Sequence, residues 1–149
     1  MTAEEMWQKS GLNGRYEAWS FGDDSDRLAE LVKCGKKTAT CSVYLFYELE
    51  HEQLPQVDDY SIILDSKENA VCIIKTTKVY ITTFDSISKE HALKEGEGDC
   101  SLVYWRDVHK RFFTEELETI NMKFDEKLKL VCEEFIVLYP DIKNPRREH

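Results

Sequence analysis

The stretch Leu31–Ser42, LVKCGKKTATCS, decides how the rest of the chain is read. Leu28, Leu31 and Val32 recur at helical spacing behind Asp23-Asp24-Ser25-Asp26, whose side chains suit a helix start. Gly35 suits the left-handed position that ends a helix. The pattern predicts a helix over about residues 25–34 that stops at Lys36-Lys37, before Thr38 and Thr40 open a second apolar run. Binding and catalytic groups concentrate where a rigid element hands over to a loop, so this junction is the first candidate site.

Working outward, residues 3–10 read as a short helix closed by Gly11. Trp19 and Phe21 are either core plugs or a platform for a planar ligand. Residues 43–50 read as helix or strand. Tyr60–Leu64 reads as a strand, Asp65–Asn69 as a turn, and Ala70–Thr83 as a long strand bent or bulged near Thr76-Thr77. Ser88 caps a helix that Gly96 ends, and Leu102, Trp105, Val108 and Phe112 trace one face of another over about 101–117. Residues 127–139 alternate, shift phase near Glu133-Glu134 and resume, which predicts a bulged strand or two paired strands. Separate strands and helices, without strict alternation, indicate an α+β class with a mainly antiparallel sheet, open or closed.

The 149 residues suit one domain with a real core. No apolar run nears the roughly 20 residues of a membrane span, and MTAEEMWQK has no signal-peptide pattern, so no membrane partner and a cytoplasmic location are expected. Five scattered cysteines without a CxxC pair read as reduced thiols. The four histidines are scattered too, so no metal site and no cofactor are expected. A net charge of −9 disfavours non-specific binding of a long duplex and favours a small ligand.

Gly35-Lys36-Lys37-Thr38 is not a phosphate-binding loop, because Glu30 stands where that motif needs glycine. Threonine is a poor nucleophile without a base, and Lys37 serves as one only if its pKa falls. Lys36 beside it lowers that pKa, while the helix end and any carboxylate raise it. If Lys37 stays charged it stabilises an oxyanion and the carboxylate is the base. In a regular strand Thr38 and Thr40 share a face and Lys37 points the other way, so convergence needs a turn or bulge.

The run Gly35-Lys36-Lys37-Thr38-Ala39-Thr40 resembles the GxKTxT signature of the ASCH domain family. The resemblance extends through Pro55 with Asp59, Val71–Thr82, Phe84-Asp85, Glu90-His91-Ala92, Glu95-Gly96-Glu97-Gly98-Asp99 and Trp105-Arg106, covering roughly residues 19–138. It implies a PUA-like mixed or antiparallel β-barrel with surrounding helices, preceded by a helical extension (1–18) and followed by a flexible tail (141–149). Some compact bacterial members are similar to amidohydrolases that deacetylate N4-acetylcytidine, which implies catalytic roles for Lys37, Thr40 and Glu95. Another member is a metal-independent ribonuclease, and eukaryotic members bind RNA. The implied partner is thus a nucleoside-like small molecule or single-stranded RNA.

This chain departs from the shortest amidohydrolases in its added helical segments and its EGEGD loop, and Asp58 stands where the family commonly has a turn glycine. Trp19, Lys36, Thr38, Tyr44, Glu97, Asp99 and Arg106 complete the expected binding set. Each has a plainer alternative: core packing for Trp19, helix-end charge for Lys36, capping for Glu97 and Asp99, and an ion pair for Arg106. His91 is either a proton shuttle or a locally bonded helix residue.

Overall fold

The computed structural model describes residues 1–140. Five strands make one curled half-barrel sheet in the order β1-β3-β4-β5-β2. They are β1 (Glu17–Trp19), β2 (Ala39–Val43), β3 (Tyr60–Leu64), β4 (Ala70–Thr83) and β5 (Lys129–Tyr139). The β1/β3 pair is parallel and the others are antiparallel, so the sheet is mixed. Helices α1 (Ala3–Ser10), α2 (Ser25–Lys33), α3 (Tyr44–Leu49), α4 (Lys89–Glu95) and α5 (Leu102–Glu118) surround it. No helix among the described residues is long and apolar enough to cross a membrane. The expected tail, 141–149, lies outside the described residues.

The long β4/β5 pair is the spine, and its side chains serve both faces. Leu130 and Cys132 join Trp105, Phe113 and Leu117 of α5 in one buried cluster. Phe135, with Val137 packed against it, joins Ala29 and Val32 of α2 in a second. The shift of phase at Glu133-Glu134 is therefore a change in which face is covered. β5 runs on without a break at Glu133-Glu134, where the extra residue is Thr77 of β4, between the pairs Thr76↔Phe135 and Lys78↔Glu134. β5 carries its own extra residue farther on, Leu138, between Ile74↔Val137 and Ile73↔Tyr139. A third cluster buries Met6 and Trp7 of α1 on Ile62 and Ile73. Complete burial of side chains of this size contributes roughly 1.5–3 kcal/mol each.

One local expectation, the capping of α2, is corrected. Asp24 occupies the N-cap position of α2, in the left-handed region (φ 45°), and makes no capping hydrogen bond. Asp26 does not cap either; its carboxylate accepts from the Ser66 amide (2.7 Å) and hydroxyl (2.9 Å), pinning α2 to the β3–β4 turn. Residues 43–50 are split, with Val43 ending β2 and α3 following at once. Asp58 holds φ 76°, the conformation a glycine would adopt without penalty.

Candidate functional site

The chain leaves α2 through Gly35 (φ 84°), and the amides of Lys36 and Lys37 both donate to the Leu31 carbonyl (3.0 and 2.9 Å). The Thr38 amide then donates to the Lys94 carbonyl (2.7 Å), while the Thr38 carbonyl accepts from the Phe135 amide (3.0 Å). This threads the junction between the end of α4 and β5. Gly96 makes the fit possible: it ends α4 at φ 70°, and a Cβ there would lie 2.4 Å from the Lys36 carbonyl oxygen. Held this way, the Lys37 side chain runs into the protein toward the C-terminal end of α4, where the helix dipole favours a cation.

Lys37 is 1% exposed, and all three ammonium protons are used. They go to Glu95 Oε1 (3.0 Å), the Glu95 carbonyl (3.3 Å) and Glu97 Oε2 (3.0 Å). Glu95, also 1% exposed, is the hub. Its Oε2 accepts from His91 Nε2 (2.6 Å) and Trp105 Nε1 (2.8 Å), and its Oε1 faces His109 Nε2 at 3.4 Å as well as Lys37. His91 takes the Tyr80 hydroxyl on Nδ1 (2.8 Å), a pattern satisfied by a proton on Nε2. His109 stacks on Trp105, with centroids 4.2 Å apart and planes at 15°.

Burial opposes every charge in this cluster, and neighbouring charges decide the outcome. For Lys37 the desolvation is outweighed by Glu95 and Glu97, and its pKa is raised. For Glu95 the desolvation is outweighed by Lys37 and His109, and its pKa is held well below the usual carboxylate range. For His109 the desolvation is outweighed by Glu95, and its pKa is raised. Lys37 is therefore an ammonium at neutral pH, suited to stabilising negative charge and unsuited to taking a proton. Glu95 is ionised, with both oxygens engaged by N–H donors.

Glu97 is the carboxylate that reaches outward. It joins Asp23, Asp24, Arg27, Leu28, Tyr104, Val108 and Arg111 in lining a cleft of about 340 Å³ between α2 and α5. Its Oε1 makes no hydrogen bond among the described residues. Tyr104 is fixed beside it because Gly98 (φ 57°) has no side chain, where a Cβ would meet the ring at 2.4 Å.

Two groups of donor atoms lie close enough to share an ion, Cys41/His91/Glu95 and Glu95/Glu97/His109. Glu95 belongs to both, its oxygens are already engaged, and the Lys37 ammonium sits between Glu95 and Glu97. A metal would have to displace that ammonium, so these residues do not form a ready ligand set.

Of the expected catalytic residues, Lys37 and Glu95 meet and Thr40 does not join them. Cys41 points at Glu95 and His91. Thr40, next along β2, lies on the opposite face, in register with Glu133. Of the expected binding residues only Glu97 touches Lys37. Lys36 is exposed, and Thr38 docks α4 through its backbone. Trp19 packs edge-on to Phe21 beside the α2 core. Tyr44, the first residue of α3, lies under the Lys129 ammonium (4.6 Å). Asp99 accepts from the Ser101 amide (2.9 Å) at the start of α5, and Arg106 is exposed with no ion pair among the described residues.

His109, Tyr80 and Cys41 were not signalled by any motif. Trp105 does pack in the core as its helical stripe implies, and its N–H also reaches the carboxylate. His91 is locally bonded, at i,i+4 to Glu95, and buried. The one available signal for His109 was its place on the stripe Leu102, Trp105, His109, Phe113, where a polar residue needs a buried partner.

The sequence profile of the ASCH domain matches residues 17–139. No curated protein matches the chain. Among solved structures, an ASCH domain from Lactobacillus crispatus JV V101 is similar at TM-score 0.84 and 28% identity, over 91% of this chain and 93% of that one. A protein from Enterococcus faecalis V583 is similar at TM-score 0.80 and 36% identity, over 98% of this chain and 90% of that one. An ASCH protein from Zymomonas mobilis shares the fold at TM-score 0.52 and 14% identity, over 82% of this chain and 70% of that one. With its half-barrel, its α4 junction and this match across the sheet, the chain belongs to the ASCH domain family, with a PUA-like α+β fold.

Proposed function

We propose that the protein is an amidohydrolase of small acylated, nucleoside-like amides, with Lys37, Glu95 and Glu97 as its reacting centre. The observation that carries the reading is a single buried ammonium shared by two carboxylates, one locked inside and one lining an open cleft. An amide carbonyl entering beside Glu97 meets a water that the free Glu97 oxygen deprotonates. The water oxygen attacks the carbonyl carbon, and Lys37 turns the N–H it gives to Glu97 in the resting site toward the oxyanion as it forms. Collapse breaks the C–N bond, and the proton held by Glu97 passes to the leaving amine. The products are an amine and a carboxylic acid that gives up its proton to water as it leaves, and Glu95 keeps Lys37 charged throughout. Thr40 is assigned no step.

N4-acetylcytidine is the first substrate to test, with cytidine release followed chromatographically. Turnover by wild type with loss in Lys37→Ala and Glu97→Gln supports the reading. No turnover, or equal turnover by both variants, removes it. A second reading, RNA bound at the same cleft, draws on Arg27 and Arg111 at its mouth. It requires affinity that falls steeply with salt and with loss of either arginine.

A further inference from the structure

His109 is a residue that the proposed reaction does not by itself require. Its Nδ1 lies 2.9 Å from the Trp105 carbonyl oxygen, an acceptor only, so Nδ1 carries a proton. Its Nε2 lies 3.4 Å from Glu95 Oε1, an ionised carboxylate oxygen. A neutral ring with its proton on Nδ1 would aim a lone pair at that oxygen. The doubly protonated ring keeps the Trp105 bond and sets a positive charge 3.4 Å from the buried carboxylate, an ion-pair distance. Stacking on Trp105 and a tilted contact with Phe113 (5.6 Å) fix the ring plane, so it cannot turn away.

The groups that face it are Glu95 and, beyond it, His91 on α4, Glu97 on the following loop, Lys37 ahead of β2, and the Trp105 carbonyl on its own helix. With His109 charged, two cations (Lys37, His109) balance two carboxylates (Glu95, Glu97). With it neutral, the cluster carries one excess negative charge and a lone pair opposing Glu95.

We infer that His109 is a positioning residue that acts as an imidazolium, holding Glu95 in place beneath Lys37, and that its deprotonation is a pH-dependent off-switch for the site. The inference deepens the amidohydrolase reading for its effect on turnover, while the protonation state stands on the geometry alone. Losing the proton lets Glu95 draw Lys37 inward and away from the carbonyl at Glu97. The loss therefore falls on kcat, with KM little changed.

The test has two arms on the intact chain. Nitrogen-15 NMR of the imidazoles is expected to show His109 with both N–H groups at pH 6.5, and its titration to move to lower pH in Glu95→Gln. A singly protonated His109 at pH 6.5 in wild type overturns the inference, whatever the protein hydrolyses. In the second arm, turnover of N4-acetylcytidine is measured from pH 6 to 10 in wild type and His109→Gln. The expected result is an alkaline limb in wild-type kcat that matches the NMR titration, and a kcat lower on the order of 10-fold at pH 7 in the variant, with that limb gone. A His109→Gln profile superimposable on wild type overturns the switch. Absence of turnover in wild type defeats the amidohydrolase reading and, with it, the switch; the NMR arm still decides the protonation state. If His109→Gln does not fold, the match between the wild-type limb and the NMR titration decides instead, and a mismatch overturns the switch.

Discussion

Replacing Glu95 with glutamine keeps the side chain's shape and removes its charge. Three N–H donors, Lys37, His91 and Trp105, hydrogen-bond the two carboxylate oxygens, and His109 Nε2 stands 3.4 Å from one of them. Glutamine offers one oxygen and turns an NH₂ group toward the remaining donors, while Lys37, 1% exposed, keeps only Glu97 as a counter-charge. Breaking a buried pair from one side costs about 3–5 kcal/mol, because the surviving charge stays desolvated. In a chain of this length that corresponds to roughly 6–20 °C in Tm.

The assay is urea and thermal unfolding at pH 6, with Lys37→Met and the Lys37→Met/Glu95→Gln double variant completing a cycle. The double variant should lose less than the sum of the singles by about 1–3 kcal/mol. The pH dependence has a definite sign. Glu95 has a folded pKa below its ordinary 4.5, so its contribution is present above that value and lost as pH falls through the folded one. His109 has a folded pKa above 6.5, so its contribution is complete below 6.5 and lost as pH rises through the folded value. Lys37 behaves likewise above 10.5. Cluster stability should therefore peak between about pH 5 and 6.5 and decline on the alkaline side first. A cost for Glu95→Gln under 1 kcal/mol, or strict additivity with Lys37→Met, would refute the coupled-charge account.

Other outcomes follow from single positions. Burial lifts the pKa of Glu133 from 4.5 to about 7, so the cost of its ionisation accrues as pH rises between those values and is complete above 7. Glu133→Gln should add up to about 3 kcal/mol at pH 8 and little near pH 4.5, read by urea unfolding. Gly96→Ala combines a positive φ with a 2.4 Å approach to the Lys36 carbonyl. It should lower stability by more than about 1 kcal/mol and impair turnover together, since it loosens the junction that aims Lys37. Among the five thiols, exposed Cys34 should react first with a maleimide under native conditions. Cys72 and Cys132, pushed by burial to about 12, should label only on unfolding, and fast labelling of either would contradict their packing.

Much of this protein was legible along the chain, because the signals involved are local. Period-3.6 and period-2 patterns, with Ser88 and Gly96 bracketing α4, located every long element. The GxKTxT run located the lysine. Local signals also failed locally, as at Asp24, whose side chain makes no capping bond. The surroundings of Glu95 were not legible, because they are drawn from α4, α5, β4 and the turn before β2, and no spacing rule links Lys37 to Glu97, His109 or Tyr80.

The sequence by itself determined the elements, the family and a lysine worth testing, since propensity and pattern act between near neighbours. Tertiary structure alone decided which carboxylate faces the cleft, that His109 shares the buried charge, and that Thr40 lies on the other face of β2. Those outcomes depend on which side chains the curled sheet and the αL turn at Gly96 bring within 3–4 Å of one another, and at that range inside the protein desolvation and Coulomb attraction set each group's charge.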